Sequence, residues 1–186
     1  MKVDIFNTDK KYNIIYADPP WQYKDKMKME GVHGLIRGAV SFYQTMSLED
    51  IKAIPVKSIC SDNAMLFMWV TMPLLDKAFE VMRAWGFTYK TCGFCWVKRT
   101  KNGKIHLGMG HYTRGNAELC LIGIKGKKPK FLVRNLSQII ESQIREHSRK
   151  PDEVREKIVA LCGDIPRIEL FARQHAEGWD CWGNEV

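Results

Sequence analysis

An α/β fold built on a largely parallel sheet is the class this sequence predicts, and three observations predict it. Short apolar runs alternate with amphipathic segments. Those segments carry helix start and stop signals, and two long irregular stretches follow strand ends. In chain order, Ile14, Ile15, Tyr16 and Ala17 form the first strand, because β-branched and aromatic residues fill it and Pro19-Pro20 closes it. Ser47-Leu48-Glu49-Asp50 reads as a capped helix start with an acidic first turn, leading into Ile51 and Ile54 before Pro55 stops it. Ala64 to Thr71, "AMLFMWVT", is a buried strand. The helix after it has Pro73 in its first turn, Leu75, Phe79, Met82 and Trp85 at helical spacing, and Gly86 as its stop. "TYKTCGFCWVK" and "AELCLIGIKG" are further strands. Pro151 then opens a helix with Val154, Ile158 and Leu161 on one face and Gly163 at its end, before a last strand in "RIELFA". Gln22 to Met46 and Thr100 to Asn116 are too long for mere connections and read as binding loops or lids.

With 186 residues, 45% apolar and 27% charged, the chain suits a single domain, 1–186, with a real core. No run of eighteen apolar residues exists, and "MKVDIFNTDKK" lacks the apolar stretch of a signal peptide. A cytoplasmic protein with no membrane segment is therefore expected. Six scattered cysteines, mostly in apolar surroundings, look like reduced core thiols. Cys92-x-x-Cys95 with His106 and His111 resembles a zinc pattern. The interval to His106 is short, however, and in a strand residues three apart point to opposite faces, so no metal is expected.

Formal net charge is +8, a balance that favours polyanionic partners. Lys98, Arg99, Lys101 and Lys104 follow one strand. Lys125, Lys127, Lys128 and Lys130 follow the next, and Arg145, Arg149 and Lys150 follow a third. If these strands are parallel, all three clusters fall on one sheet edge, the edge that also carries Asp18.

That carboxylate opens the Asp18-Pro19-Pro20-Trp21 corner. A residue before proline is held extended and proline locks its own φ, so the corner is stiff. A carboxylate, a rigid carbonyl beside it and a flat aromatic face suit a site that must grip an N–H2 group.

The tetrapeptide resembles the signature of enzymes that methylate an exocyclic amine of a base. With "FMWVT", "GHYTRGNAELCLIGIKG", "HSRKPDEV", "RIELFARQH" and "WGNE", nearly the whole chain is similar to the MT-A70 family, which includes the adenosine N(6)-methyltransferases of messenger RNA. The resemblance implies a Rossmann-like methyltransferase fold, circularly permuted so that the catalytic motif precedes the cofactor strand. It implies S-adenosyl-L-methionine as the methyl donor. By it, Asp18, Pro19, Pro20 and Trp21 form the catalytic corner. Asp18 and the Pro19 carbonyl accept the two amine hydrogens, while Trp21 stacks on the base. Asp4, Ile5, Asp18, Lys150, Arg173, His175, Asn184 and Glu185 would hold the donor. Candidate substrate contacts are Trp21, Tyr23, Lys24, Lys98, Arg99, Lys101, Lys104, His111, Lys127 and Lys128. Two departures stand out: Arg173-Gln174-His175-Ala176 replaces the usual Arg-Pro-His-Asn, and Glu185 stands where Gln is usual.

The implied activity is adenine-specific N(6)-methylation of DNA, with RNA as the alternative. A non-catalytic nucleic-acid-binding subunit is a third reading, against which the intact tetrapeptide weighs. Both a homodimer and a heterodimer are compatible with the resemblance.

Overall fold

The computed structural model describes residues 1–22, 45–110, 112–146 and 149–186. Among these, β1 (Tyr12–Ala17), β2 (Cys60–Val70), β3 (Thr88–Arg99), β4 (Ala117–Lys125), β5 (Ile139–Gln143), β6 (Arg167–Leu170) and β7 (Asp180–Trp182) form one sheet. Its order is β5-β3-β4-β2-β1-β6-β7. β1 runs parallel to β2 and β6, β6 to β7, and β3 to β5. β4 is antiparallel to both of its neighbours, β2 and β3. Six of these strands thus point one way and β4 points the other, which makes the sheet mixed. The cause lies in the Thr100–Asn116 connection: its described residues contain no helix, and a parallel return needs a crossover of a dozen or more residues that is usually helical.

Side chains alternate along β1, and both sets are buried. Ile15 and Ala17 join a core with α1 (Leu48–Ala53), α2 (Val56–Ile59) and α3 (Leu75–Ala84) on one face. Ile14 and Tyr16 join a second core with α4 (Glu153–Cys162) on the other. The result is a three-layer α/β arrangement.

The expected signals act largely where the sequence puts them. Ser47 caps α1 by accepting the Asp50 N–H at 3.1 Å. Pro73 lies in a 3-10 turn (Met72–Leu74) that feeds α3, whose fully buried residues are Ala78, Val81 and Met82. Trp85 is buried beside them and its indole N–H donates to the Ile51 carbonyl at 3.0 Å, which ties α3 to α1. α4 buries Val154, Ile158 and Cys162 and ends at Gly163, where φ is 84°. Three elements go beyond the sequence reading: α2, β5 and β7. None of the described helices is long and apolar enough to cross a membrane.

Candidate active site

Asp18 immediately follows β1, at the C-terminal edge of the parallel strands. The corner after it is tied down by its own backbone. Trp21 N–H donates to the Pro19 carbonyl at 2.9 Å, and Met46 N–H donates to the Pro20 carbonyl at 2.9 Å. The Pro19 carbonyl keeps its second lone pair and can still accept.

Trp21 differs from the sequence expectation. Only 6% of it is exposed, it packs in the core with α1 and α3, and its indole N–H donates to the Trp69 carbonyl at 3.1 Å. It anchors the corner and does not offer a ring face for stacking. The physical reason is the tight turn at Pro19, which folds the chain back under the sheet edge.

Asp18 ends a row of alternating charges. The Lys150 ammonium lies 2.9 Å from the Asp18 carboxylate and 3.1 Å from Glu118 Oε2, and Lys98 donates to Glu118 Oε1 at 2.5 Å. Beneath the row are aromatic rings, Trp69 5.7 Å from the Lys150 ammonium and Trp96 5.1 Å from that of Lys98. Burial alone would push Lys150 toward its neutral form, but Asp18 and Glu118 outweigh it and hold its pKa above the ordinary lysine value. Burial likewise opposes the charge on Glu118, and Lys150 and Lys98 reverse that, leaving its carboxyl below the usual range. Glu118, at the start of β4, reaches this edge because β4 is reversed.

A second network fixes the wall behind Lys150. Asp152 accepts from Arg145 at 2.5 Å, Arg149 at 3.0 Å, Arg155 at 2.6 Å and Gln174 at 3.1 Å. Arg155 grips Glu169 on β6 through two bonds, at 2.6 and 2.8 Å. Burial disfavours the Asp152 charge, yet the Arg145 and Arg155 hydrogen bonds bring its pKa down to about 2. Gln174, where the family usually has proline, thus joins the post-β6 loop to the start of α4.

The expected donor residues gather on the same edge. Arg173 follows β6, Asn184 and Glu185 follow β7, and both strands run parallel to β1. Lys2 bridges in parallel to Cys181, so the chain that passes Asp4 and Ile5 also emerges there. Arg173 Nε lies 3.7 Å from Glu185 Oε1, and His175 Nδ1 lies 3.2 Å from Cys181 Sγ. The Asp4 carboxylate accepts the Phe6 N–H at 3.0 Å, while Ile5 is buried in the core. At Gly183 an added Cβ would stand 2.2 Å from the Ala172 carbonyl oxygen, so the ends of β6 and β7 meet there backbone to backbone. Phe171, between β6 and Arg173, has φ 59°, a strained left-handed conformation for a bulky residue that turns the chain out over the edge.

The basic residues divide. Lys101 and Lys104 are exposed on the Asp18 edge. Lys98 is committed to Glu118, and Arg99 pairs with Glu141 at 2.8 Å, so both line the wall and neither is a free phosphate contact. Lys127 and Lys128 lie at the opposite edge, because Lys125 at the end of β4 stands beside Ala64 at the beginning of β2. There the Lys128 ammonium sits over Phe131 at 4.9 Å, beside a cavity of about 800 Å³. Their expected place beside Asp18 is overturned by the reversal of β4. Tyr23, Lys24 and His111 lie outside the described residues. Among the described residues no three metal-ligating side chains cluster, and burial raises the thiol pKa values of Cys92 and Cys95.

Glu118, Arg155 and Glu169 do not stand out in the sequence as site residues. The two glutamates leave one signal, an isolated acid inside an apolar run, in "AELCLIGI" and "RIELFA", since a buried carboxylate needs a built partner; Arg155 leaves none.

Comparison with known proteins places this geometry. The family described as MT-A70 matches residues 12–185. The Type II methyltransferase M.MunI of Mycoplasma sp is 37% identical over 189 residues, covering 95% of this chain and 78% of that protein. An N(6)-adenosine-methyltransferase MT-A70-like protein of Arabidopsis thaliana is 30% identical over 190 residues. The N(6)-adenosine-methyltransferase catalytic subunit METTL3 of Homo sapiens is 27% identical over 180. The chain spans 25% of the plant protein and 28% of the human one.

Proposed function

The chain belongs to the MT-A70 family, and from that membership and the corner at Asp18 we propose that it is an S-adenosyl-L-methionine-dependent methyltransferase that modifies the N(6) amine of adenine in DNA. The observation that carries the reading is a rigid carboxylate–carbonyl pair, Asp18 and Pro19, fixed at the sheet edge where the expected donor residues converge. DNA is favoured over RNA because the match covers most of a Type II methyltransferase but about a quarter of the adenosine enzymes. In this reading the motif order is circularly permuted, with the catalytic strand β1 preceding the donor strands.

The residues present fit the donor. Arg173 would balance a carboxylate, Asn184 and Glu185 would accept ribose hydroxyls, and Asp4 and Ile5 would border the adenine. When bound, the donor supplies an electrophilic methyl group on a sulfonium. Asp18 and the Pro19 carbonyl each accept one N–H of the target amine. This turns the nitrogen lone pair, otherwise delocalised into the ring, toward the methyl. Lys150 holds the Asp18 carboxylate by charge and hydrogen bonding. The work of Asp18 and the Pro19 carbonyl is mainly to position the amine, and neither has to take up a proton before transfer.

Expression of the chain and of Asp18→Asn in a host without adenine methylation, followed by mass spectrometry of nucleosides, tests the proposal. N(6)-methyladenine in DNA with the first and not the second is expected. A product confined to RNA would move the substrate assignment to RNA, and no methylated adenine in either would refute it.

A further inference from the structure

The Thr100–Asn116 excursion is built to present apolar side chains on the sheet edge that carries the catalytic corner. A tight turn at Thr100–Lys104 folds the chain back, so that His106 N–H donates to the Lys98 carbonyl at 2.8 Å while Lys98 N–H donates to the Asn116 carbonyl at 2.9 Å. Lys98 therefore staples both ends of the outer loop, and its side chain begins the charge row that ends at Asp18. The neck is closed by Gly108 N–H donating to the Gly115 carbonyl at 2.8 Å. An added Cβ would lie 2.5 Å from that oxygen at Gly108, and 2.0 Å from the Thr113 carbonyl at Gly110. The loop is thus a close-packed backbone structure, and glycine is required at both places.

What it displays is unusual for a protein surface facing water. Leu107 is 66% exposed, Met109 71% and Tyr112 fully exposed. From Lys98 through Ala117 there is no acidic residue, while Lys101, Lys104 and Arg114 are exposed around the apolar tip. Apolar tips flanked by cations complement a stack of bases bordered by phosphates, and a duplex has to be opened before the amine of a paired adenine can reach a corner such as Asp18-Pro19.

Resting on the reading of the chain as a DNA adenine methyltransferase, we infer that Leu107, Met109 and Tyr112 form a wedge that inserts into duplex DNA beside the target and holds the adenine out of the stack. Lys101, Lys104 and Arg114 grip the adjacent phosphates. The wedge serves paired DNA only; an unpaired adenine reaches the corner without it.

The test is methyl transfer from radiolabelled donor into native and heat-denatured phage DNA that lacks adenine methylation. It compares the full chain with its Leu107→Ala/Met109→Ala/Tyr112→Ala variant, with donor affinity and thermal melting as fold controls. Transfer into native DNA should fall about tenfold or more, the effect of losing part of what offsets unstacking of the target base. Transfer into denatured DNA, donor affinity and melting should hold within about twofold of the parent's behaviour, as expected for exposed side chains. Tyr112→Phe should retain most native-DNA activity. If the parent methylates both DNA forms and the triple variant matches it on native DNA, the wedge is refuted while the methyltransferase reading stands. An equal fall on both forms, or a parent dimer that becomes a monomer in the variant, overturns it in favour of a general contact or a self-interface. If the parent methylates neither form, the DNA reading fails and the wedge with it.

Discussion

Replacing Lys150 by methionine removes the cation that bridges Asp18 and Glu118 while leaving most of its volume. At 2.9 and 3.1 Å and an effective dielectric of about 20, each attraction is worth about 5 kcal/mol before desolvation. Desolvation of three largely buried groups offsets most of that. The net loss on removing one partner of a buried pair is about 3–5 kcal/mol, a large fraction of the total stability of an ordinary domain. A proton linkage separates this from a packing defect. In the parent, the depressed pKa of Glu118 contributes stability that is present above its unfolded value, 4.5, and is lost as pH falls through the folded one. In Lys150→Met the larger of the two cationic influences on Glu118 is gone and burial pushes its carboxyl up. Glu118 then detracts from stability at neutral pH, and acidification relieves the penalty. Urea unfolding of both proteins at pH 7.5 and pH 5 should show a deficit of several kcal/mol that narrows at the lower pH. A deficit under about 0.5 kcal/mol, the scale of an ordinary surface change, or one that is the same at both pH values, would refute the reasoning.

Asp18→Asn keeps a neutral acceptor beside Lys150 but removes the corner's one charged acceptor. Turnover should fall about 10²-fold or more with donor affinity nearly unchanged, measured by steady-state kinetics and donor titration. Trp21→Phe should lose the bond to the Trp69 carbonyl and about 1 kcal/mol of stability, whereas Trp21→Ala should cost about 3–5 kcal/mol in chemical denaturation. An alanine variant of parental stability but weaker DNA binding would return Trp21 to a stacking role. Lys101→Gln/Lys104→Gln should lower the slope of log affinity against log salt on duplex DNA by about 0.9 for each phosphate that is no longer neutralised. The pair Lys127→Gln/Lys128→Gln, at the opposite edge, should leave that slope unchanged in the same titration.

Local signals in the sequence carried far. The Ser47 cap, Pro73, Gly86 and Gly163 all act on local backbone, and the burial of β1, β2 and β4 follows from their unbroken apolar runs. The stiff corner at Asp18 was legible for the same reason: proline constrains its own residue and the one before it wherever they occur. β5 and β7 were not, because "IIESQ" and "DCW" are short and owe their extended form to β3 and β6 alongside them. The burial of Trp21 was not legible either, since a tryptophan after a turn carries no mark of which way its ring points. Arg155, Glu169 and Asp152 illustrate the same limit in the site. Each is an ordinary charged residue in one dimension and a member of a buried network only after α4 is laid against β6.

The direction of β4 decides the electrostatics of the site. A parallel β4 would carry Lys125, Lys127, Lys128 and Lys130 to the Asp18 edge and take Glu118 to the far side, leaving Lys150 with one carboxylate and Lys98 with none. Reversed, β4 brings Glu118 between the two lysines, and the row Lys98–Glu118–Lys150–Asp18 is neutral overall. A neutral, interlocked row holds Asp18 in place and offers little long-range attraction for phosphate. That attraction then has to come from residues outside the row, and the described loop residues on this edge supply the exposed cations Lys101, Lys104 and Arg114, with Arg145 exposed but paired to Asp152. The Thr100–Asn116 excursion therefore has two linked consequences. Without a crossover helix among its described residues, it goes with the reversal that completes the charge row, and its length leaves a basic, apolar-tipped loop on the edge that carries the carboxylate the row secures.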